Sequence, residues 1–219
     1  MSETQTLSFE EKLDRYADLL VRIGVNVQPH QRLQLSAPLE AAQLARAVAR
    51  KAYEAGCRLV EVAWSDDRLA RIRYESAPRD SFEEFPDWRV RASMEAVERD
   101  DAFLTIYASD PDLLAGIDQE LVATASRVSA ERMRPVSEAI SSFAINWSIG
   151  SMPIPSWARR VFPDLPEEEA MSRLWDAIFM ATRADQPDPV AAWRTHLDAL
   201  AARRTALNER AFSALHFRG

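Results

Sequence analysis

Residues 143–175 read FAINWSIGSMPIPSWARRVFPDLPEEEAMSRLW, and their pattern changes twice over this length. Phe143, Ile145 and Trp147 alternate with smaller or more polar residues, and this period of two predicts a strand. The strand should end at the glycine and prolines that follow (Gly150, Pro153 and Pro155), because proline cannot donate to a sheet ladder. The segment therefore predicts a strand that leads into a proline-rich corner.

Helical signals follow this corner. We predict a short helical turn over 156–161 and then a longer helix, with Asp164 as its cap and Pro166 in its first turn. The carboxylates of residues 167–169 would face the positive end of that helix. We interpret them as helix-stabilising rather than as a metal or acid/base site, because adjacent side chains in one helical turn point in different directions.

Four side chains in the chain are predicted to be buried. Trp147, Trp157 and Trp175 are expected to fill core volume, as tryptophans do more often than they stack on ligands. Cys57 is the single cysteine, so it has no partner for an internal disulfide. We interpret it as a small buried hydrophobic residue rather than a nucleophile.

Elsewhere the chain alternates helical and extended patterns. Strands are predicted at 32–37, 59–64, 102–107 and 139–147, and helices at 8–24, 39–55, 87–99 and 118–133, with others starting near 67 and 189. A strand, a helix and a second strand in succession form a right-handed crossover with parallel strands. The predicted fold class is therefore α/β, a layered domain with a mainly parallel sheet of about four or more strands flanked by helices.

An apolar stripe marks the last predicted helix. Its members recur every three or four residues, at Val190, Trp193, Leu197, Leu200, Leu207 and Ala211. Such a stripe needs a partner surface, and we expect it to pack either on the sheet or on a second domain.

The α/β topology also predicts where a ligand would bind. Open parallel sheets bind ligands beyond the carboxyl ends of their strands. The predicted strand ends carry Ser36, Trp64–Asp66, Ser109, Asp110, Asn146 and Trp147. We favour helix capping over ligand contact for the Ser and Asp residues among them. Glu61, within the second strand, could mark a site, but an edge strand or a solvated strand face is favoured.

Composition argues against several classes of function. The net charge of -7 is unfavourable for binding nucleic acid. The loop after the first strand has no glycine, which argues against a dinucleotide site. His30, His196 and His216 fall on different elements, and none has a partner at zinc-site spacing. Neither a signal peptide nor a run of 18 apolar residues is present, so we expect a cytoplasmic protein without a membrane partner.

Several segments in combination resemble one enzyme family. They are N-W-S-I, P-x-P-S-W-A-x-x-V-F-P and E-E-E-A-x-x-R-L-W in 146–175, together with residues 11–62, 107–123 and 188–219. The chain resembles the N-terminal half of the thermophilic metallo-aminopeptidases of the aminopeptidase T and aminopeptidase S type. Members of that family are roughly twice this length.

The resemblance implies a homodimeric enzyme that releases N-terminal amino acids from peptides. Two divalent metal ions, zinc, cobalt or similar, would be held in a C-terminal half. Residues 1–214 would form the N-terminal α/β domain and wall the substrate cavity, and residues 215–219 would begin the catalytic domain. On this reading the chain contains no catalytic, cofactor-binding or metal-ligating residue, and alone it is inactive. The alternative is a free-standing, non-catalytic α/β domain for binding or interaction.

Overall fold

A parallel sheet forms the centre of the molecule in the computed structural model, which describes residues 7–218. Its strands are β1 (Arg32–Pro38), β2 (Leu59–Ser65), β3 (Ala102–Tyr107) and β4 (Trp147–Ser151). They are arranged in the order β2-β1-β3-β4, and each neighbouring pair is parallel. The predicted α/β class is confirmed. Residues 1–6 and 219, parts of the predicted segments 1–214 and 215–219, lie outside the described range.

Helices connect the strands and continue after the last one. Their bounds are α1 (Phe9–Leu19), α2 (Ala42–Glu54), α3 (Asp67–Ser76), α4 (Asp87–Glu98), α5 (Gln119–Ser141), α6 (Pro155–Val161), α7 (Glu167–Thr182) and α8 (Pro189–Arg210). A π-helical turn, Leu20–Gly24, continues α1, and 3-10 turns lie at Leu39–Ala41 and Arg79–Glu83. Ser8 and Glu11 form a capping box at the start of α1.

The core lies on one face of the sheet. Leu33 and Leu35 of β1 and Leu104 of β3 are buried there, in one cluster with side chains of α1, α2 and α7. Successive strand residues point to opposite faces, so their neighbours lie on the other face. On that face Tyr107 and Ile149 are 53% and 60% exposed. The covered face therefore supplies the hydrophobic stabilisation, and the second face is left partly open near β3 and β4.

The fourth strand differs from its prediction. Residues 139–141 belong to α5, and the strand runs over Trp147–Ser151 instead of 139–147. The helix ends where Phe143 adopts a left-handed conformation (φ 56°) and the Ala144 N–H donates to the Ala139 carbonyl oxygen at 3.0 Å. The apolar alternation from Phe143 therefore marks a helix terminus and a short connection.

Gly150 lies inside β4 rather than ending it. A Cβ at this position would lie 2.8 Å from Leu20 Cδ1 and 3.2 Å from the Tyr16 hydroxyl oxygen. The π-helical turn after α1 therefore packs directly on the backbone of β4, which requires a residue without a side chain.

Two further predictions are wrong. Trp147 is 36% exposed and stacks on Phe143 with ring centroids 6.4 Å apart, because it lies on the same, partly open face of the sheet as Ile149. Asp164 does not cap α7, which begins at Glu167 directly after Pro166. The burial of Cys57 is confirmed, and Trp157 and Trp175 pack against the core while partly exposed. Glu61 is exposed on the edge strand β2, as favoured from the sequence.

Candidate functional site

A crevice of about 420 Å³ opens beyond the carboxyl ends of the strands. Segments that follow each of the strands β1 to β4 line it, and its charged residues are Glu40, Asp67, Arg68, Arg71, Asp110 and Arg159. Its volume lies within the range typical of small-molecule sites. The location agrees with the strand-end prediction at Asp110, while Asp66 caps α3 as expected.

The sheet topology explains why a crevice forms here. From β1 the chain crosses to β2 on one side, whereas β3 lies on the other side of β1. At such a switch point the connections diverge and leave space between them. Asn146 and Trp147 were predicted to lie at a carboxyl end, but they are at the start of β4 and therefore at the opposite edge. That part of the site prediction is wrong because β4 runs later in the chain than predicted.

Hydrogen bonds between loops fix the shape of the crevice. The Asp67 carboxylate, just after β2, accepts from the Asp110 N–H, just after β3, at 2.9 Å. Arg71 donates to the Leu113 carbonyl oxygen at 2.6 Å and pairs with Glu75 at 2.7 Å. These contacts tie α3 to the loop after β3, so two walls of the crevice are held together.

The wall after β4 is fixed in a different way. Tyr16 of α1 is almost fully buried, and its hydroxyl group hydrogen-bonds both backbone groups of Ser151. Ile154 is buried, and Pro155 then begins α6 at a position where proline is tolerated. Arg159 at the end of α6 pairs with Glu167 at the start of α7. The wall after β4 is therefore anchored to α1 and α7.

Two charged side chains lining the crevice stand apart from these contacts. Within residues 7–218, Arg68 and Glu40 make no side-chain hydrogen bond or ion pair, and both are exposed. Arg68 lies in the first turn of α3, where the positive end of the helix disfavours a cation. Asp66 already accepts from the N–H groups of Arg68 and Leu69, at 2.8 and 3.2 Å. Arg68 therefore has no role in stabilising the end of its own helix.

The crevice charges were not among the residues selected from the sequence, apart from Asp110. The others come from distant segments of the chain, and only the sheet order brings them together. Residues 40 and 159 are 119 positions apart, and the set consists of Glu40, Asp67, Arg68, Arg71 and Arg159. Arg68 alone offered a local signal in the sequence, because it follows the predicted cap Asp66 and a cation in the first turn of a helix opposes the helix dipole.

The described residues do not fit a metal centre. Between residues 7 and 218, no group of three or more His, Cys, Asp or Glu side chains is placed to hold an ion. In the crevice, Asp67 accepts from the backbone N–H of Asp110, and Asp110 accepts from the Asp112 N–H at 2.9 Å.

The helices were also compared with the length and apolar character that a membrane span requires. Among residues 7–218, none of them meets both requirements.

Comparison with known protein families identifies the chain. Residues 9–219 match the family described as thermophilic metalloprotease (M29). The chain therefore belongs to this family of metallopeptidases, as its resemblance to the aminopeptidase T and S enzymes suggested.

Several bacterial relatives are named aminopeptidases. Aminopeptidase 2 of Geobacillus stearothermophilus is 45% identical over 207 residues, which are 94% of this chain and 50% of the relative. Aminopeptidase T of Thermus thermophilus is 43% identical over 212 residues, 97% of this chain and 52% of the relative. A solved structure of wild-type AmpT from Thermus thermophilus aligns with a TM-score of 0.89 and 40% identity, over 97% of this chain and 52% of that one. The chain spans about half the length of these relatives.

Proposed function

We propose that this chain is the N-terminal α/β domain of a metal-dependent aminopeptidase that releases N-terminal amino acids from peptides. The observation that carries the proposal is the match itself: nearly the whole chain aligns with aminopeptidases, and it accounts for only half of each. In this proposal residues 1–214 form the domain, and the catalytic half, which binds two divalent metal ions such as zinc or cobalt, begins at 215–219.

The surface of α8 supports a second half. The side chains of Leu197, Leu200 and Leu207 are 43–48% exposed, so they do not pack on the sheet. After the helix, Phe212, Leu215 and Phe217 are exposed as well, by 52–90%. A row of large apolar side chains on one helix and its continuation typically packs on a partner surface. This exposure supports the other expectation from the sequence, that the stripe packs on a second domain.

This domain would contribute to substrate enclosure rather than to bond cleavage. Its crevice is formed by walls that are tied together before a ligand arrives, as at Asp67 and Asp110. Such a preformed wall orders a peptide at little conformational cost to the protein. The polarisation of the scissile carbonyl would come from metal ions bound by the other half.

Assembly and location complete the proposal. We propose a homodimer in the cytoplasm, with peptides as substrates and neither nucleic acid nor membrane as partner. Cys57 is the single cysteine, so the chain has no internal disulfide to form, which suits a reducing compartment. The net charge of -7 likewise disfavours binding to polyanions.

The test compares the 219-residue chain with a chain extended to family length. Both are purified and assayed for release of chromophore from aminoacyl anilides, with and without a chelator. The extended chain should turn over only with divalent metal present, and the 219-residue chain should not. Metal-dependent turnover by the 219-residue chain, retained through further purification, would refute the proposal that catalysis belongs to a second half. Peptide binding without hydrolysis by both chains would favour a non-catalytic binding domain.

A further inference from the structure

The strand-end crevice has charges and a size that indicate a particular class of ligand. Of its charged residues, Asp67, Arg71, Asp110 and Arg159 are each engaged by a backbone group or an opposite charge of the protein. Arg68 and Glu40, which have no such partner among the described residues, are the charges available to a ligand. One is positive and the other negative, so a ligand that satisfies both carries an anionic and a cationic group.

We infer that this crevice binds a small zwitterion, either a free amino acid or a short peptide with free termini. Arg68 binds the carboxylate, because a guanidinium group presents paired N–H donors that match carboxylate geometry. Glu40 binds the ammonium group as a charged acceptor. The inference rests on the proposed function, since both the substrates and the products of an aminopeptidase are zwitterions of this kind.

Other features of the crevice agree with this ligand. Ala108, Leu113, Ile154 and Pro155 give it apolar surface between the charged positions, which suits aliphatic side chains of a peptide. A volume of about 420 Å³ accommodates a ligand of this size. The N–H groups at the start of α3 are already capped by Asp66, so the carboxylate is left to the guanidinium of Arg68 rather than to the helix end.

The position of Arg68 is a second argument. A cation in the first turn of a helix opposes the helix dipole. Within the described residues no carboxylate pairs with Arg68 to offset this, in contrast to Arg79, which pairs with Asp118 at 2.7 Å. A bound carboxylate would supply the missing counter-charge.

The experiment measures binding to the family-length protein after its metal has been removed by chelation, so that no turnover occurs. The probe is the dipeptide Ala-Leu, compared with its N-acetylated and its C-amidated forms by calorimetry. Each blocking group should weaken binding by about tenfold, the loss expected for one charge-assisted contact. Arg68→Gln should weaken binding of the free dipeptide by a similar factor and leave binding of the C-amidated form unchanged. Glu40→Gln should weaken binding of the free dipeptide likewise and leave binding of the N-acetylated form unchanged. The matched control is Arg134→Gln, because Arg134 is exposed and 4.0 Å from its nearest carboxylate.

Turnover separates this inference from the proposed function. In the metal-loaded protein Arg68→Gln should raise KM for Ala-Leu by about tenfold and should raise KM for an aminoacyl anilide by a smaller factor, since the anilide has no carboxylate for Arg68 to bind. If the protein hydrolyses neither substrate, the proposed function fails while the calorimetry still reports on the crevice. Equal binding of all dipeptide forms, or dipeptide binding that neither Arg68→Gln nor Glu40→Gln alters, would overturn the inference. A third outcome would also overturn the inference. If the Glu40→Gln protein binds both the dipeptide and inorganic phosphate as tightly as wild type does, and phosphate displaces the dipeptide, the crevice is a simple anion site.

Discussion

The Tyr16 hydroxyl group donates to the Ser151 carbonyl oxygen at 3.0 Å and accepts from the Ser151 N–H at 2.8 Å. These two residues are 135 positions apart, and their contact joins α1 to the end of β4. Because β4 is an edge strand, no neighbouring strand pairs with the outward-facing N–H and carbonyl groups of Ser151. The Tyr16 hydroxyl group hydrogen-bonds both of them instead. The wall of the crevice after β4 starts from this anchored residue.

Removing this hydroxyl group should destabilise the fold. Tyr16→Phe leaves both backbone groups of Ser151 unpaired in a part-buried environment, and we expect a loss of about 1–3 kcal/mol in the free energy of unfolding. Denaturant melts measure the change. Tyr107→Phe is the control, because Tyr107 is 53% exposed and its hydroxyl group should contribute less than about 0.5 kcal/mol. Equal effects of the two substitutions would contradict the role given to Tyr16.

The same hydroxyl group should make stability depend on alkaline pH. Burial raises the pKa of Tyr16 to about 12, although the hydrogen bond to Ser151 acts in the opposite direction. An unfolded tyrosine has a pKa of about 10. Between these values the unfolded chain has lost the proton and the folded protein retains it, so stability falls as pH rises, by up to about 1.4 kcal/mol per pH unit. Below pH 10 this contribution is fully present.

Melts at a series of pH values from 9 to 12 test the alkaline prediction. The difference in stability between wild type and Tyr16→Phe should shrink over this interval, because the phenylalanine variant lacks the ionising group. A difference that stays constant across the series would show that Tyr16 titrates alike in the folded and unfolded states.

A methyl group on Gly150 should also be costly. Its Cβ would lie 2.8 and 2.9 Å from the two δ-carbons of Leu20, which is 5% exposed and held within the core. We expect Gly150→Ala to lose about 1–3 kcal/mol through overpacking. The double variant with Leu20→Ala should show favourable coupling in a double-mutant cycle, because the clash disappears. Strict additivity of the two losses would contradict the contact.

The sequence predicted the first three strands closely because their signals are local. Pro29, Pro38 and Gly56 bound β1 and α2, and the alternation of β1 and the buried run of β3 are visible within a few residues. The position of β4 depends on distant residues instead. Gly150 looks like a strand terminator until Leu20 and Tyr16 are placed against it. Local pattern therefore located three strands and misplaced the fourth.

The candidate site was predictable in location and not in composition. The rule that ligands bind beyond the carboxyl ends of parallel strands gave the correct edge of the sheet and included Asp110. It could not select Arg68 or Glu40, because their proximity depends on the order β2-β1-β3-β4, which periodicity does not specify. Capping was predicted for the Ser and Asp residues at the strand ends, and this is confirmed for Asp66.

Trp147→Ala should be milder than its size suggests. From the sequence, burial of this residue would imply a loss of about 3–5 kcal/mol. Trp147 is 36% exposed, and its ring stacks on Phe143, which is 80% exposed. We expect a loss of about 1–2 kcal/mol, from the buried part of the ring and the aromatic pair. Phe179→Ala, at 1% exposure, is the comparison and should lose about 3–5 kcal/mol. Equal losses in the two variants would show that Trp147 contributes to stability as a buried core residue does.

The last prediction concerns the apolar stripe of α8. Leu200 and Leu207 are 43% and 48% exposed, so in the 219-residue chain Leu200→Gln and Leu207→Gln should each change stability by less than about 0.5 kcal/mol. In a chain of family length, the same leucines should be buried against the second half, and each substitution should lose about 2–3 kcal/mol as apolar burial is given up. Asp198→Asn is the control, because Asp198 is an exposed residue of the same helix and lies on the face opposite Leu200 and Leu207. The measurement is the denaturation midpoint of each variant in both chain lengths. The decisive quantity is the difference between the two lengths, since it removes any effect of the substitution on helix propensity. Leucine substitutions that are equally mild in both chains would show that the stripe does not pack on a second half.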